Sequence, residues 1–286
     1  MAASAKTFFE NVSLYGKKTL AHKACEEGSV EALRVLSNMK VDLEKEDIRG
    51  FTPLMVAFQH KNIECFTLLL ECGVNPNVKD GGGRGKSILH VACAQLNLPY
   101  VRLLLEHGAD PNILDEFNNT PLYMVFHQPE VALVRLLLEK GANPNALNKF
   151  GRSPMYSMWD QFYSTFGTIN SVRLMLEHGA SIEQLGDTYE TALTLACEKT
   201  SASLVHLFLE YGAPGEIEAL MVVKGLLKQP SGCYNMLERE ELEKCHELLI
   251  KHLVGSRSTK RPRTEVEDEE EPNAKRARSS TVKIEV

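Results

Sequence analysis

One short segment recurs along the chain. Thr52-Pro53-Leu54-Met55, Ser87-Ile88-Leu89-His90, Thr120-Pro121-Leu122-Tyr123, Ser153-Pro154-Met155-Tyr156 and Thr191-Ala192-Leu193-Thr194 each begin with a hydroxyl residue followed by an apolar pair. A weaker copy, Thr19-Leu20-Ala21-His22, precedes them, and the steps between copies are 33, 35, 33, 33 and 38 residues. A second landmark follows each start: Leu68-Leu69-Leu70 then Gly73, Leu103-Leu104-Leu105 then Gly108, Leu136-Leu137-Leu138 then Gly141, Leu174 then Gly179, and Leu207 then Gly212. A unit of this size cannot bury its own apolar face, so such units must stack on one another.

The local chemistry of one unit predicts two helices. A Thr or Ser accepts backbone N–H bonds at the start of the first helix, and proline fits the next position, where its missing N–H costs nothing. The Leu triplets, with Val101 and Val131, give the second helix an apolar face. Glycine after that face suits a left-handed C-terminal cap. Asn75-Pro76-Asn77, Asp110-Pro111-Asn112 and Asn143-Pro144-Asn145 then supply turn chemistry.

These residues resemble the ankyrin repeat, with its T-P-L-H-x-A start and 33-residue period, over roughly residues 17–218. The resemblance implies an all-α solenoid of helix–turn–helix pairs, each with a β-hairpin-like finger. Six repeats are expected at 19–46, 47–79, 80–114, 115–147, 148–185 and 186–218. Residues 1–18 read as a lead-in. Residues 219–253 keep two apolar helical stretches around Gln229-Pro230-Ser231-Gly232 without the landmarks, as in a degenerate capping repeat. From 254 to 286 apolar residues nearly vanish, which predicts a disordered tail.

Charge and cysteine content exclude several functions. The formal charge is −6, but the last 32 residues carry +1 and the body −7, an unfavourable partner for a phosphate backbone. Nucleic-acid binding by the folded body is therefore not expected. No apolar run approaches the 18 residues of a membrane span, and the first residues lack the basic start and hydrophobic stretch of a secretory signal. Seven cysteines with no Cys-x-x-Cys argue against a disulfide framework or zinc module. Six residues after each capping hydroxyl stand Cys25, Phe58, Cys93, Phe126, Trp159 and Cys197, one inward packing slot per repeat. No cofactor or metal is expected.

Gly81-Gly82-Gly83-Arg84-Gly85-Lys86-Ser87 resembles a phosphate loop and would support a nucleotide-binding enzyme. The pattern, however, needs glycine where Asp80 stands, and a strand leading in where Asn75-Pro76-Asn77 makes a turn. His22 and His90 occupy the motif position at which ankyrin histidines bond the capping residues of their own and adjacent repeats. No Ser/His/Asp or paired-carboxylate constellation stands out, so the reading is non-catalytic.

In ankyrin-like solenoids, partners meet the finger tips and the exposed side of the first helix. Carried onto this sequence, the tips are Ile48, Arg49, Phe51, the 81–86 loop, Glu116, Phe117, Lys149, Phe150 and Arg152. First-helix positions are Glu26, Glu27, Gln59, His60, Gln95, His127, Gln128, Glu198 and Lys199. Phe117 and Phe150 share one register in adjacent repeats, so they either anchor a partner or pack along neighbouring fingers. The fifth repeat carries five extra residues, and Trp159, Phe162, Tyr163 and Phe166 fall at i, i+3, i+4 and i+7. An extended first helix would turn Phe162, Tyr163 and Phe166 into an aromatic knob; a local mini-core is the competing reading.

The tail carries two basic clusters, Lys260-Arg261-Pro262-Arg263 and Lys275-Arg276-Ala277-Arg278, around the acidic run Glu265–Glu271. They resemble a bipartite nuclear-import signal read by an import receptor. Val282-Lys283-Ile284-Glu285 resembles the sumoylation consensus, with Lys283 as acceptor. The terminal Val286 could also add an edge strand to a PDZ-type sheet. The expectation is a nuclear, regulatory protein-binding scaffold in transcription or chromatin. A substrate-recruiting ubiquitin-ligase subunit is the alternative, although residues 219–253 show no SOCS- or F-box pattern.

Overall fold

A computed structural model describes residues 18–79, 85–125, 130–158, 166–182, 191–229 and 235–259. Its helices alternate as the period requires. First helices are α1 (Leu20–Glu27), α3 (Pro53–Gln59), α5 (Ile88–Ala94), α7 (Pro121–Val125), a 3₁₀ turn over Pro154–Met158, and α10 (Ala192–Glu198). Second helices are α2 (Val30–Asn38), α4 (Ile63–Glu71), α6 (Leu98–Glu106), α8 (Val131–Glu139), α9 (Phe166–Glu177) and α11 (Ala202–Glu210). First helices pack on first helices, as α1 on α3 and α5 on α7; second helices run as a continuous layer behind them. This is the all-α solenoid, and among the described residues it contains no strand.

The caps form as the hydroxyl landmarks require. Thr19, Thr52, Ser87 and Thr191 accept a backbone N–H three residues on. The terminal glycines Gly73, Gly108, Gly141, Gly179 and Gly212 all take positive φ, the left-handed cap expected of them.

Two rows of side chains build one continuous core. The third residue of each start motif is buried in every repeat: Ala21, Leu54, Leu89, Leu122, Met155 and Leu193. Behind it lies Leu36, Leu69, Leu104, Leu137, Met175 and Phe208, one residue per second helix. The packing slot is buried at Cys25, Phe58, Cys93 and Cys197, while Phe126 and Trp159 lie outside the described residues. Burial pushes the Cys25 and Cys93 thiols well above the ordinary range, which suppresses the reactive thiolate. These cysteines act as small hydrophobes.

Fingers are hairpin-like, as expected, without forming strands: each is closed by a backbone bond across its base, Asp47 N–H to Phe51 O at 2.9 Å, Asp115 to Asn119 at 3.1 Å and Asn148 to Arg152 at 3.0 Å, and by a tighter turn bond from Gly50 to Asp47, Asn118 to Asp115 and Gly151 to Asn148. The antiparallel bridge Lys79–Ser87 stands alone. Phe166 does not extend the first helix of its repeat; that segment is the short 3₁₀ turn, and Phe166 opens the second helix. Phe162 and Tyr163 lie outside the described residues.

Two helices close the C-terminal end, α12 (Glu216–Leu227) and α13 (Met236–Thr259). They pack on α10 and α11 and on each other, through buried Ala219, Val223, Leu242, Cys245 and Leu249. Here α13 runs through Gly255 to Thr259, past the boundary at 254 that composition suggested. A single exposed glycine with open space around it costs about 1 kcal/mol in a helix, too little to end one. Residues 260–286, with both basic clusters (Lys260, Arg261, Arg263; Lys275, Arg276, Arg278) and Lys283, lie outside the described residues.

Candidate functional site

Each described finger is a small closed loop organised by one buried side chain. Asp47 Oδ1 accepts the N–H groups of Arg49 (2.8 Å) and Phe51 (3.0 Å). Asp115 does the same for Phe117 and Asn119, both at 2.8 Å. Asn148 repeats it for Phe150 (2.9 Å) and Arg152 (3.1 Å). Burial alone would raise the Asp47 carboxyl, but the two N–H donors and the nearby Arg49 guanidinium hold it below the usual carboxylate range. The turn demands a left-handed residue two before the cap, and Gly50, Gly85, Asn118 and Gly151 supply it.

Histidines tie two of the fingers to the repeat before them. His22 Nδ1 accepts the Thr19 N–H at 3.1 Å and faces Thr19 Oγ1 at 2.8 Å, while Nε2 donates to Phe51 O at 2.8 Å in the next finger. His90 repeats this with Ser87 and with Asn119 O at 2.9 Å. Both rings are fully buried, and desolvation lowers their pKa below the ordinary imidazole value. The neutral Nε2–H tautomer satisfies every bond. Ser87, the last residue of the Gly-rich stretch, is therefore occupied as a helix cap.

With the loops fixed from within, their tips face outward. Ile48, Arg49, Glu116, Phe117, Lys149 and Phe150 are exposed. Phe117 and Phe150 meet across adjacent fingers with ring centroids 6.3 Å apart and planes 20° from parallel, and Lys149 N–H donates to Phe117 O at 2.8 Å. The rings pack on each other and remain 43% and 57% exposed. Gln59, His60 and Gln95, at the C-terminal ends of their first helices, are exposed, whereas His127 and Gln128 lie outside the described residues.

Two tip residues turn inward instead. Phe51 is half-buried against the core, with the Arg49 guanidinium 4.8 Å above its ring. Arg152 lies 4.7 Å over the ring of Tyr156 and is half-buried as well. Leu114 and Leu147, which the sequence reading missed, are exposed at 41% and 47%, three residues before Phe117 and Phe150. Their signal was available in the register: the same position in the second repeat is Glu46. Leu114, Phe117, Leu147 and Phe150 together make an apolar strip on two neighbouring fingers.

On the second-helix layer, a groove of about 740 Å³ crosses α2, α4 and α6 between Val30, Ile63 and Leu98. No three His, Cys, Asp or Glu side chains among the described residues are grouped to hold a metal ion. No helix among them is long and apolar enough to cross a membrane.

Comparison with known proteins adds a family. The family model described as ankyrin repeats (3 copies) matches residues 4–80 and 72–148. An ankyrin repeat domain from Acinetobacter baumannii is 27% identical, with a TM-score of 0.64, over 68% of this chain and 98% of that one. The ankyrin repeat domain of Bcl-3, described as a unique member of the IkappaB protein family, is 25% identical with a TM-score of 0.61, over 72% and 93% of the two chains. Among curated proteins there is no significant match.

Proposed function

Because the chain belongs to the ankyrin-repeat family, whose domains bind other proteins, we propose that it is a non-catalytic nuclear scaffold that captures a regulatory protein on its fourth and fifth fingers. The observation carrying this reading is the exposed stacked pair Phe117–Phe150, flanked by Leu114 and Leu147. Rigid aromatics presented at low entropic cost are the side chains that dominate binding energy in protein interfaces. The fingers that hold them are fixed by internal hydrogen bonds, so little ordering remains to oppose association.

Nuclear placement rests on the two basic clusters at Lys260–Arg263 and Lys275–Arg278. Likeness to the ankyrin domain of Bcl-3 supports a regulatory role. Changing Phe117 and Phe150 together to Ala should weaken partner capture by at least tenfold with a nearly unchanged melting curve, taking about 2 kcal/mol for a hot-spot pair. A large loss of stability would make them packing residues and end the reading. Replacing Lys260, Arg261, Lys275 and Arg276 with Ala should move the protein to the cytoplasm; unchanged nuclear staining would refute the import signal.

A further inference from the structure

A stacked array needs a polar cover at each end, and α12 does not provide one. Its inner face buries Ala219 and Val223, yet the opposite face exposes Ile217 at 57% and Met221 at 70%. Lys224 and Lys228 are exposed on the same stripe, at i+7 and i+11 from Ile217. Gly225 lies there too, and a Cβ placed on it would meet nothing within 4 Å. Glu218 at the N-terminal end and the lysines at the C-terminal end complement the helix dipole. The dipole does not account for two large exposed apolar side chains beside a mid-helix glycine. Such a face is built to be covered.

We propose that residues 260–271 of the same chain dock along this stripe. The connection to α13 makes the two helices antiparallel, and His252 Nδ1 lies 3.5 Å from Glu216 Oε1 at the start of α12. The chain therefore leaves Thr259 about 10 Å beyond that end and need only turn back. Lys224 and Lys228 stand about 12–18 Å farther along the helix. An extended segment spans about 3.3 Å per residue, so Glu267–Glu271 reach both lysines with slack.

The order of charges matches this direction of travel. Arg263 comes level with Glu218 first, Val266 with Met221, and Glu267, Asp268, Glu269, Glu270 and Glu271 arrive at Lys224 and Lys228. Neither lysine pairs with a carboxylate among the described residues. Docked this way, the segment covers the open end of the stack.

The test is zero-length carbodiimide cross-linking of the full chain, read by mass spectrometry on the monomer fraction. Bonds joining Lys224 or Lys228 to carboxylates of 267–271 are expected, and their yield should fall at least threefold at roughly 0.5 M salt, where exposed pairs are screened. In the variant Met221→Glu with Lys224→Glu, the yield at Lys228 should drop at least fivefold. Absence of these bonds in the monomer would overturn the proposal, and bonds confined to a dimer would assign the stripe to a second copy. Equal yields under both changes would show random collisions of a tethered segment. If the variant loses its circular dichroism, the salt series on the unaltered protein decides alone.

Discussion

Between the middle of the stack and its C-terminal end, the means of joining one unit to the next changes. In the middle, polar side chains bridge repeats in register. Asn77 accepts the N–H of Asp110 at 2.8 Å; Asn112 accepts that of Asn143 at 2.7 Å and donates to Gly141 O at 2.9 Å; Asn145 accepts from Ser181 and donates to Gly179 O, both at 2.8 Å. His22 and His90 add a second row of bridges at the fingers. At the end, α12 and α13 join the last repeat mainly through apolar contact, with the Ala202 N–H donated to Glu241 Oε2 at 3.3 Å and a His252–Glu216 approach between the two helices, and α12 leaves apolar side chains exposed. Repeated polar connectors fix spacing and leave the rim free to recognise another molecule. An apolar end fixes little, and it invites a cover.

The comparison breaks most clearly with a charge. Leu104→Asp, at the fully buried centre of α6, should cost about 4 kcal/mol or more and unfold neighbouring repeats, because the carboxylate has no partner there. Met221→Asp at the open end should change stability by less than about 0.5 kcal/mol. Urea denaturation of both variants measures the difference, and equal effects would mean that the register is wrong. Next in size, Asn112→Ala removes two inter-repeat bonds and should cost about 1–2 kcal/mol, reduced by the access of water to the site.

The fold was legible because its signals are local and repeated. The capping hydroxyl, the proline after it, the Leu triplets and the terminal glycine each have one physical use, and six copies leave no second arrangement. The packing slot was legible for the same reason, since Cys25, Phe58, Cys93 and Cys197 share one offset from the cap. The site was only half legible. Phe117 and Phe150 came from register, but the inward turn of Phe51 and Arg152 depends on the rings and cations beside them. The route of the fifth repeat was not legible either. The spacing of Trp159 to Phe166 fits one helical face, yet Phe166 belongs to the second helix, because five added residues can lengthen a connection as readily as a helix.

The histidine bridges predict an acid sensitivity. In the folded protein, burial lowers the pKa of His22 and His90 below the ordinary imidazole value near 6.5. As pH falls through 6.5 the unfolded chain takes up protons that the folded chain refuses, so stability declines with acidification. Protonating Nδ1 also removes the acceptor that holds the Thr19 or Ser87 N–H. Stability measured between pH 7.5 and 5.5 should therefore fall, and it should fall less in His90→Met, because Met55 fills the same slot in the second repeat. Identical slopes in the two proteins would remove the histidine bridges as the cause.

The smallest effect concerns the turn between the two helices of each repeat. Nine residues after the cap, the backbone is left-handed at Gly28 (φ 69°), Lys61 (59°), Leu96 (54°) and Thr200 (54°). A side chain in this conformation costs about 1–2 kcal/mol, and a β-branched one is the least suited. Among the described residues only the first repeat uses glycine there. Thr200→Gly should then stabilise the C-terminal repeat by about 1 kcal/mol after the entropy that glycine loses on folding. Gly28→Ala should destabilise by a similar amount, since its Cβ would also stand 3.1 Å from Asn62 Oδ1. If Thr200→Gly raises the denaturation midpoint while Gly28→Ala lowers it, the strain is stored in the turn and tolerated by the stack around it. If Thr200→Gly is neutral, the strain at this position is offset by contacts of the threonine side chain, and the last repeats are held by more than the apolar packing assigned to them here.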